Sequence, residues 1–294
     1  MLKKTDSGIL FMLGSALISA FNGAITKILS EDISALEIVF FRNLIGIFII
    51  LYALKHTPPK LSGGKIHLLF TRGLFGFMAM ILFFYTITVI PLGEAITLNK
   101  TSPFFVTILA FFLLREHLTL KTLLALLIGF MGVVFIVKPF GLTFSYAHFL
   151  GILGGFFAAA AYTTIKKIKD IYDSRVIVLS FVGIGTLMPA LLFLLAPFIA
   201  VPQALAFLFP KFILHLSVYT WALIALMAFI STLSQWLLTK AYSAKNLSVV
   251  GVISYTNIPF AIGFGALLGD KFPDIFTFLG IGLIIFGGIL VSKK

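Results

Sequence analysis

Residues 114–118, Leu-Arg-Glu-His-Leu, return 154 positions later as residues 268–272, Leu-Gly-Asp-Lys-Phe. In both places a short acidic turn closes a long apolar run, and a Gly/Phe-rich helix is expected to follow, over Leu126 to Val137 and Gly280 to Val291. A weaker correspondence sets Lys27 and Gly46 over Lys166 and Gly185, both 139 residues apart. The chain therefore reads as an internal duplication, with halves at 8–138 and 146–292.

The composition around this repeat decides the solvent. With 60% hydrophobic residues, 11% charged and a mean hydropathy of +1.14, too little polar surface exists to cover a soluble globule, so the chain belongs in lipid. Mostly uncharged runs occupy residues 8–26, 35–54, 70–91, 93–114, 120–137, 146–165, 176–196, 214–239, 246–268 and 274–291. Each is close to the ~20 residues a helix needs to cross ~30 Å of hydrocarbon, so 294 residues hold ten crossings and no soluble domain. Residues 176–210 carry no charge and are punctuated by Pro189, Pro197, Pro202 and Pro210. A helix to about Ala196 and then an apolar surface or re-entrant loop is expected, the alternative being a tilted, longer helix.

With the amino terminus in the cytoplasm and loops alternating sides, fifteen Lys and Arg residues fall on the cytoplasmic side and four, Lys27, Lys138, Lys211 and Lys271, on the other. Arg42, Arg72 and Lys100 lie within or near the ends of the runs and are not counted. This asymmetry predicts ten crossings in a cytoplasmic (inner) membrane with both termini cytoplasmic. Five crossings per half is an odd number, so the repeats are expected to be inverted. The net charge of +12 then reports orientation and anionic lipid, with no nucleic-acid partner expected. Lys3 and Lys4 before an apolar run resemble a signal-peptide start, but the run is long for one and belongs to the repeat. The absence of cysteine excludes structural disulfides and thiolate metal sites, and no cofactor or metal is expected.

Inverted repeats suit alternating access, because two arrangements with the halves exchanged open one central site to either side at similar energy. A channel-like pore is the neighbouring alternative. An intramembrane enzyme is the other: His56, His67, His117, His148 and His215 are scattered, and no HExxH, GxSxG or P-loop sequence occurs, which also excludes self-powered ATP-driven pumping. The ten carboxylates fall in loops or at span ends, so uniport or exchange is expected over proton symport. Glu94 with Lys100 is the one visible exception.

Several segments resemble the drug/metabolite transporter superfamily in its two-repeat EamA form. In the first half these are Glu37-Ile-Val-Phe-Phe-Arg42, Thr71-Arg72-Gly73, Phe84-Tyr85 with Ile90 to Ala95, Asn99-Lys-Thr-Ser-Pro103-Phe-Phe, Leu114-Arg-Glu116 and Gly129-Phe-Met-Gly132. The second half offers Ala241-Tyr242, Ser254-Tyr255, Pro259-Phe260, Gly269-Asp270, Pro273-Asp274 and Gly287-Gly288. The resemblance implies a ten-helix carrier of small organic solutes, often an exporter. It departs from the pattern at Asp270, where glutamate is usual, and at Asn257, which matches Pro103.

Polar groups at membrane depth are the candidate substrate contacts, since each is costly there unless paired or facing water. Arg42 and Lys100 lie about a third of the way along their spans; they either snorkel to the interface or form a cradle for an anionic solute. Arg72 reads as an interface anchor, with a role in the site as the alternative. Asn22, Tyr85, Asn99, Ser102, Tyr162, Gln235, Trp236, Tyr255 and Asn257 complete the set, the amides favoured because a buried amide demands partners. Pro103 and Pro259 are expected helix breaks, at places in the two repeats that differ by two residues. The solute class stays open among amino acids, nucleoside-like metabolites such as S-adenosylmethionine, and organic anions. The small-residue rows Ser15, Ser19, Gly23 and Gly151, Gly155, Ala159 are expected to pack helices within the chain, while Gly265 and Gly269 could serve a homodimer.

Overall fold

The computed structural model describes residues 4–59, 63–114, 120–137, 145–210, 212, 216–243, 250 and 253–292. The expectations for Glu116 and its flanking turn, for Lys138, and for the start of the ninth run fall outside these residues.

Among the described residues the structure is helical, with no strand. The helices are α1 (Lys4–Leu29), α2 (Ala35–His56), α3 (Ile66–Val89), α4 (Leu92–Asn99), α5 (Ser102–Leu114), α6 (Leu120–Val137), α7 (Tyr146–Ile168), α8 (Ser174–Leu195), α9 (Val218–Ser243), α10 (Asn257–Leu267) and α11 (Ile275–Ser292). Seven segments are long and apolar enough to cross a membrane, α4 and α5 together making one of them; Leu123–Ile136 and Ile275–Gly287 are shorter apolar stretches. Large apolar side chains point outward along them, Phe112 at 71% exposure and Phe130 at 66%. Water would penalise such a surface and lipid does not.

Local chemistry sets the ends. Ser34 caps α2: its Oγ accepts from Glu37 N, while Glu37 Oε2 accepts from Ser34 N at 2.9 Å and Ser34 Oγ at 2.7 Å. This reciprocal box accounts for a carboxylate buried at an apolar helix start. Gly269 stops α10 in the left-handed region, φ 85°, where a side chain would be strained. The stretch 92–113 is interrupted at Lys100 and Thr101, just before Pro103. In the second half a 3₁₀ turn over Ser254–Thr256 precedes α10, with Pro259 in its first turn.

The helix α8 ends at Leu195, and short 3₁₀ turns at Ala196–Phe198 and Gln203–Leu208 follow. Phe207 stacks on Tyr85 at 4.2 Å, and Phe212 meets Phe40, Phe41 and Phe193. The end of the charge-free stretch and Phe212 just beyond it fold back onto the bundle.

The principal packing pairs are α1 with α9, α3 with α7, α2 with α9, α3 with α8, α1 with α10, α5 with α7, α2 with α3 and α8 with α9, together with α2–α8, α4–α10 and α6–α11. Bare backbone permits the closest approaches. A Cβ on Gly132 would stand 2.6 Å from the Gly280 carbonyl, and one on Gly280 2.6 Å from that of Gly132. Ser15 and Ser234 clamp α1 to α9, each hydroxyl donating to the other's carbonyl at 3.0 and 3.1 Å. Gly155 faces Thr101 and the carbonyls of Leu98 and Asn99, so α7 rests on the interrupted segment. Gly265 faces Asp270 and Leu92 of the same chain, which gives it and the capping Gly269 intramolecular roles.

Candidate functional site

The helices line a central cavity with about 800 Å³ of space between atoms, part of it open to the exterior. Its walls take Ser19 and Asn22 from α1, Arg42 from α2, Arg72, Gly76 and Met80 from α3, Asn99 and Lys100 at the interruption, Tyr162 from α7, Phe181 from α8, Ser231, Ser234 and Gln235 from α9, and Asn257 from α10.

Three cations meet here. Arg42 is 5% exposed and Arg72 1%, so both side chains end inside the protein instead of reaching for the interface. The Arg42 guanidinium lies 5.6 Å from the ring centroids of Phe84 and Phe181, and that of Arg72 lies 4.9 Å from Phe181. Two positive charges thus share one ring. Arg42 Nη1 also contacts Met80 Sδ. The Nε of each arginine is buried without a hydrogen-bond partner, and among the described residues no carboxylate pairs with Arg42, Arg72 or Lys100. Lys100 sits at the carboxyl end of α4, its backbone N–H donating to Ile96. Ring faces repay ~1–2 kcal/mol of burying a cation, short of the several kcal/mol that a buried, unpaired charge costs. No acidic residue lines the cavity among those described.

The amides are oriented by neighbouring helices. Ser231 Oγ donates to Asn22 Oδ1 at 2.7 Å, and Asn257 Nδ2 donates to the Ala16 carbonyl at 2.6 Å. These bonds tie α1 to α9 and to α10, and leave the other end of each amide for the cavity.

Seven of the sequence-predicted residues thus lie on one cavity: Asn22, Arg42, Asn99, Lys100, Tyr162, Gln235 and Asn257. Four do not line it. Tyr85 is taken up by Phe207; Trp236 lies beneath Lys240 Nζ, 4.0 Å from its ring; Ser102 is buried at the start of α5; and Tyr255 is buried beside Phe104 with its hydroxyl unpartnered. The reading of Arg72 as an interface anchor is corrected by its burial. Its position near the start of α3 permits an outward reach, but Gly76 one turn on offers no side chain, and the guanidinium folds over that gap onto Phe181. A Gly four residues after an Arg was the available signal. Asn43 was also missed; it is buried and donates to the Gly185 carbonyl at 3.1 Å, joining α2 to α8.

Away from the cavity, Asp270 pairs with Lys27 and accepts from Leu92 N at 2.9 Å, joining the ends of α1 and α10 to the start of α4. Glu94 lies 3.7 Å from His148 Nε2.

Comparison with known proteins agrees with this architecture. The family model described as the EamA-like transporter family matches residues 6–138. The pseudopaline exporter CntI of Pseudomonas aeruginosa (strain UCBPP-PA14) is 30% identical over 288 residues, covering 98% of this chain and 96% of that protein. An uncharacterized transporter of Helicobacter pylori (strain ATCC 700392 / 26695) is 31% identical, with 97% and 94% covered. An S-adenosylmethionine uptake transporter of Rickettsia bellii is 25% identical, with 97% and 92% covered. A protein crystal structure superposes with a TM-score of 0.69 at 13% identity over 99% of this chain and 98% of that one, a likeness of fold alone. With whole-length relatives at this identity and a first half that fits the family model, the chain belongs to the EamA-like transporter family of the drug/metabolite transporter superfamily and is a multi-pass membrane protein.

Proposed function

We propose that this protein carries a small organic anion across the cytoplasmic membrane by alternating access, as a uniporter or exchanger working in the direction of export. The observation that carries the anion is the cluster of Arg42, Arg72 and Lys100 on one cavity without an acidic residue among its described lining. The solute supplies the counter-charge while it is bound, and an empty cavity pays for three unpaired cations.

Ten crossings in two inverted repeats, 8–138 and 146–292, with both termini cytoplasmic, are the frame for this reading. Exchanging α1 with α7, α2 with α8, α3 with α9, α4 and α5 with α10, and α6 with α11 maps the principal packing pairs onto one another. Asn43 against Gly185 has its mate in Val182 against Gly46, both related by the 139-residue register. The family match also ends at residue 138. Export is favoured by the relative named as an exporter, which is more identical than those named for uptake. Uniport or exchange is favoured by the described carboxylates, which sit at helix ends or in paired positions.

Transport kinetics of correctly inserted Arg42→Gln and Lys100→Gln test the reading. Gln keeps a polar group and removes the charge, and a desolvated charge-assisted contact is worth ~1.5–3 kcal/mol, so affinity falls by roughly tenfold or more. Unchanged half-saturation and maximal flux in both variants would remove these cations from the site and leave the amides of α1, α9 and α10 as its centre.

A further inference from the structure

The polar groups of the cavity divide between two walls. Arg42 and Arg72 stand on α2 and α3, which pack on each other and on α8, whose Phe181 they share. Asn257 stands on α10, which packs on α1, and α1 packs on α9, the helix of Gln235. This second wall carries no arginine; its one cation is Lys100, on the turn after α4, which packs on α10. The orientation of Asn257 is fixed by its partner: a backbone carbonyl only accepts, so the group bonded to Ala16 at 2.6 Å must be the NH₂. Its Oδ1 is then an acceptor facing the cavity that Asn257 lines. Gln235 lines the same wall and has no hydrogen bond among the described residues, leaving its amide free for solute.

The cations constrain the solute in another way. One carboxylate would leave two of the three cations without counter-charge in the closed, desolvated complex, which is the costly state. A solute with two or more carboxylates relieves it, and the acceptor on Asn257 asks for a donor elsewhere on the solute.

We propose that the transported solute is a donor-bearing polycarboxylate: at least two carboxylates held by Arg42, Arg72 and Lys100, and an N–H or O–H group given to Asn257 Oδ1, with Gln235 as a second contact to that end. This deepens the anion-carrier reading above and rests on it. Asn257 and Gln235 become specificity residues, while the cations supply the bulk of the affinity.

The test uses four simple anions on the purified full-length protein in detergent, each added as its sodium salt at ionic strength matched with sodium chloride, with thermal unfolding as the readout. Glutamate has two carboxylates and an ammonium, malate two and a hydroxyl, succinate two and no such donor, and acetate one carboxylate. Glutamate or malate is expected to protect at concentrations about tenfold below succinate, and succinate well below acetate. Gln235→Leu narrows the lead of glutamate and malate over succinate, and Asn257→Leu abolishes it. Arg72→Gln abolishes the lead of succinate over acetate. Gln235 makes no hydrogen bond among the described residues, so its variant serves even if the loss of the Ala16 contact impairs folding of Asn257→Leu. Equal protection by glutamate, malate and succinate would overturn the proposal and leave the anion-carrier reading standing. So would four anions that all act as chloride does, provided Arg42→Gln still depresses flux. If Arg42→Gln and Lys100→Gln keep full flux, the carrier's anionic site itself is wrong.

Discussion

A methyl group added at Gly76 would stand 2.3 Å from Arg72 Nη1 and 2.4 Å from Phe181 Cδ2. Such contacts force one of the two to move, and overpacking of this kind costs ~1–3 kcal/mol. The guanidinium is the more mobile partner, so Gly76→Ala is expected to displace it from Phe181 and lower flux about tenfold at equal amounts of inserted protein. Gly183 provides the control, since a Cβ there meets nothing within 4 Å, and Gly183→Ala should transport normally. Equal flux in the two variants would show that the placement of Arg72 is immaterial. At this scale the sequence reveals which residues are polar at depth but not where they point. Arg42 and Lys100, which line the cavity, stood out because a cation in an apolar run is conspicuous. Arg72 was misjudged because its neighbours in space, Phe181 on another helix and the bare flank at Gly76, decide its direction. Tyr85 and Trp236 lie at similar depths, yet contacts with Phe207 and Lys240 draw them off the cavity.

The elements were more legible, because a break in a helix is written locally. Pro103 removes a backbone donor, and the helix stops at Lys100 and Thr101. At the 154-residue register Lys100–Ser102 falls on Ser254–Thr256, the 3₁₀ turn before α10, so the irregular turns coincide although the prolines differ by two. Asp270 was visible as an acidic turn after an apolar run. Its partner was not: Lys27 is 243 residues away, and only the docking of α1 against α10 brings the two together. Asp270→Asn should leave Lys27 without its charge partner and weaken the acceptor for Leu92 N. The pair is partly exposed, so a loss of ~1–2 kcal/mol is expected, read as a lower unfolding temperature in detergent that Lys27→Met in the same chain fails to deepen. Additive losses in the double variant would mean that the two residues act separately.

At the scale of the whole molecule the central claim is that one cation-lined cavity faces the two sides of the membrane in turn. Composition gave the lipid setting, and the near-copies at 114–118 and 268–272 are the basis of the proposed two repeats; how the helices surround a cavity depends on long-range packing that no local pattern encodes. The chain contains no cysteine, so a single thiol can be placed without background. Ser19 lines the cavity from α1 and makes no hydrogen bond among the described residues, and Ser19→Cys changes one atom. Membrane-impermeant methanethiosulfonates, one with a sulfonate and one with a trimethylammonium group, would be applied separately to each side of oriented vesicles, with labelling rates referred to a free thiol. The account predicts labelling from both sides, with the sulfonate reagent favoured about tenfold or more over the trimethylammonium reagent. Labelling from one side only, or faster reaction with the cationic reagent, would contradict it.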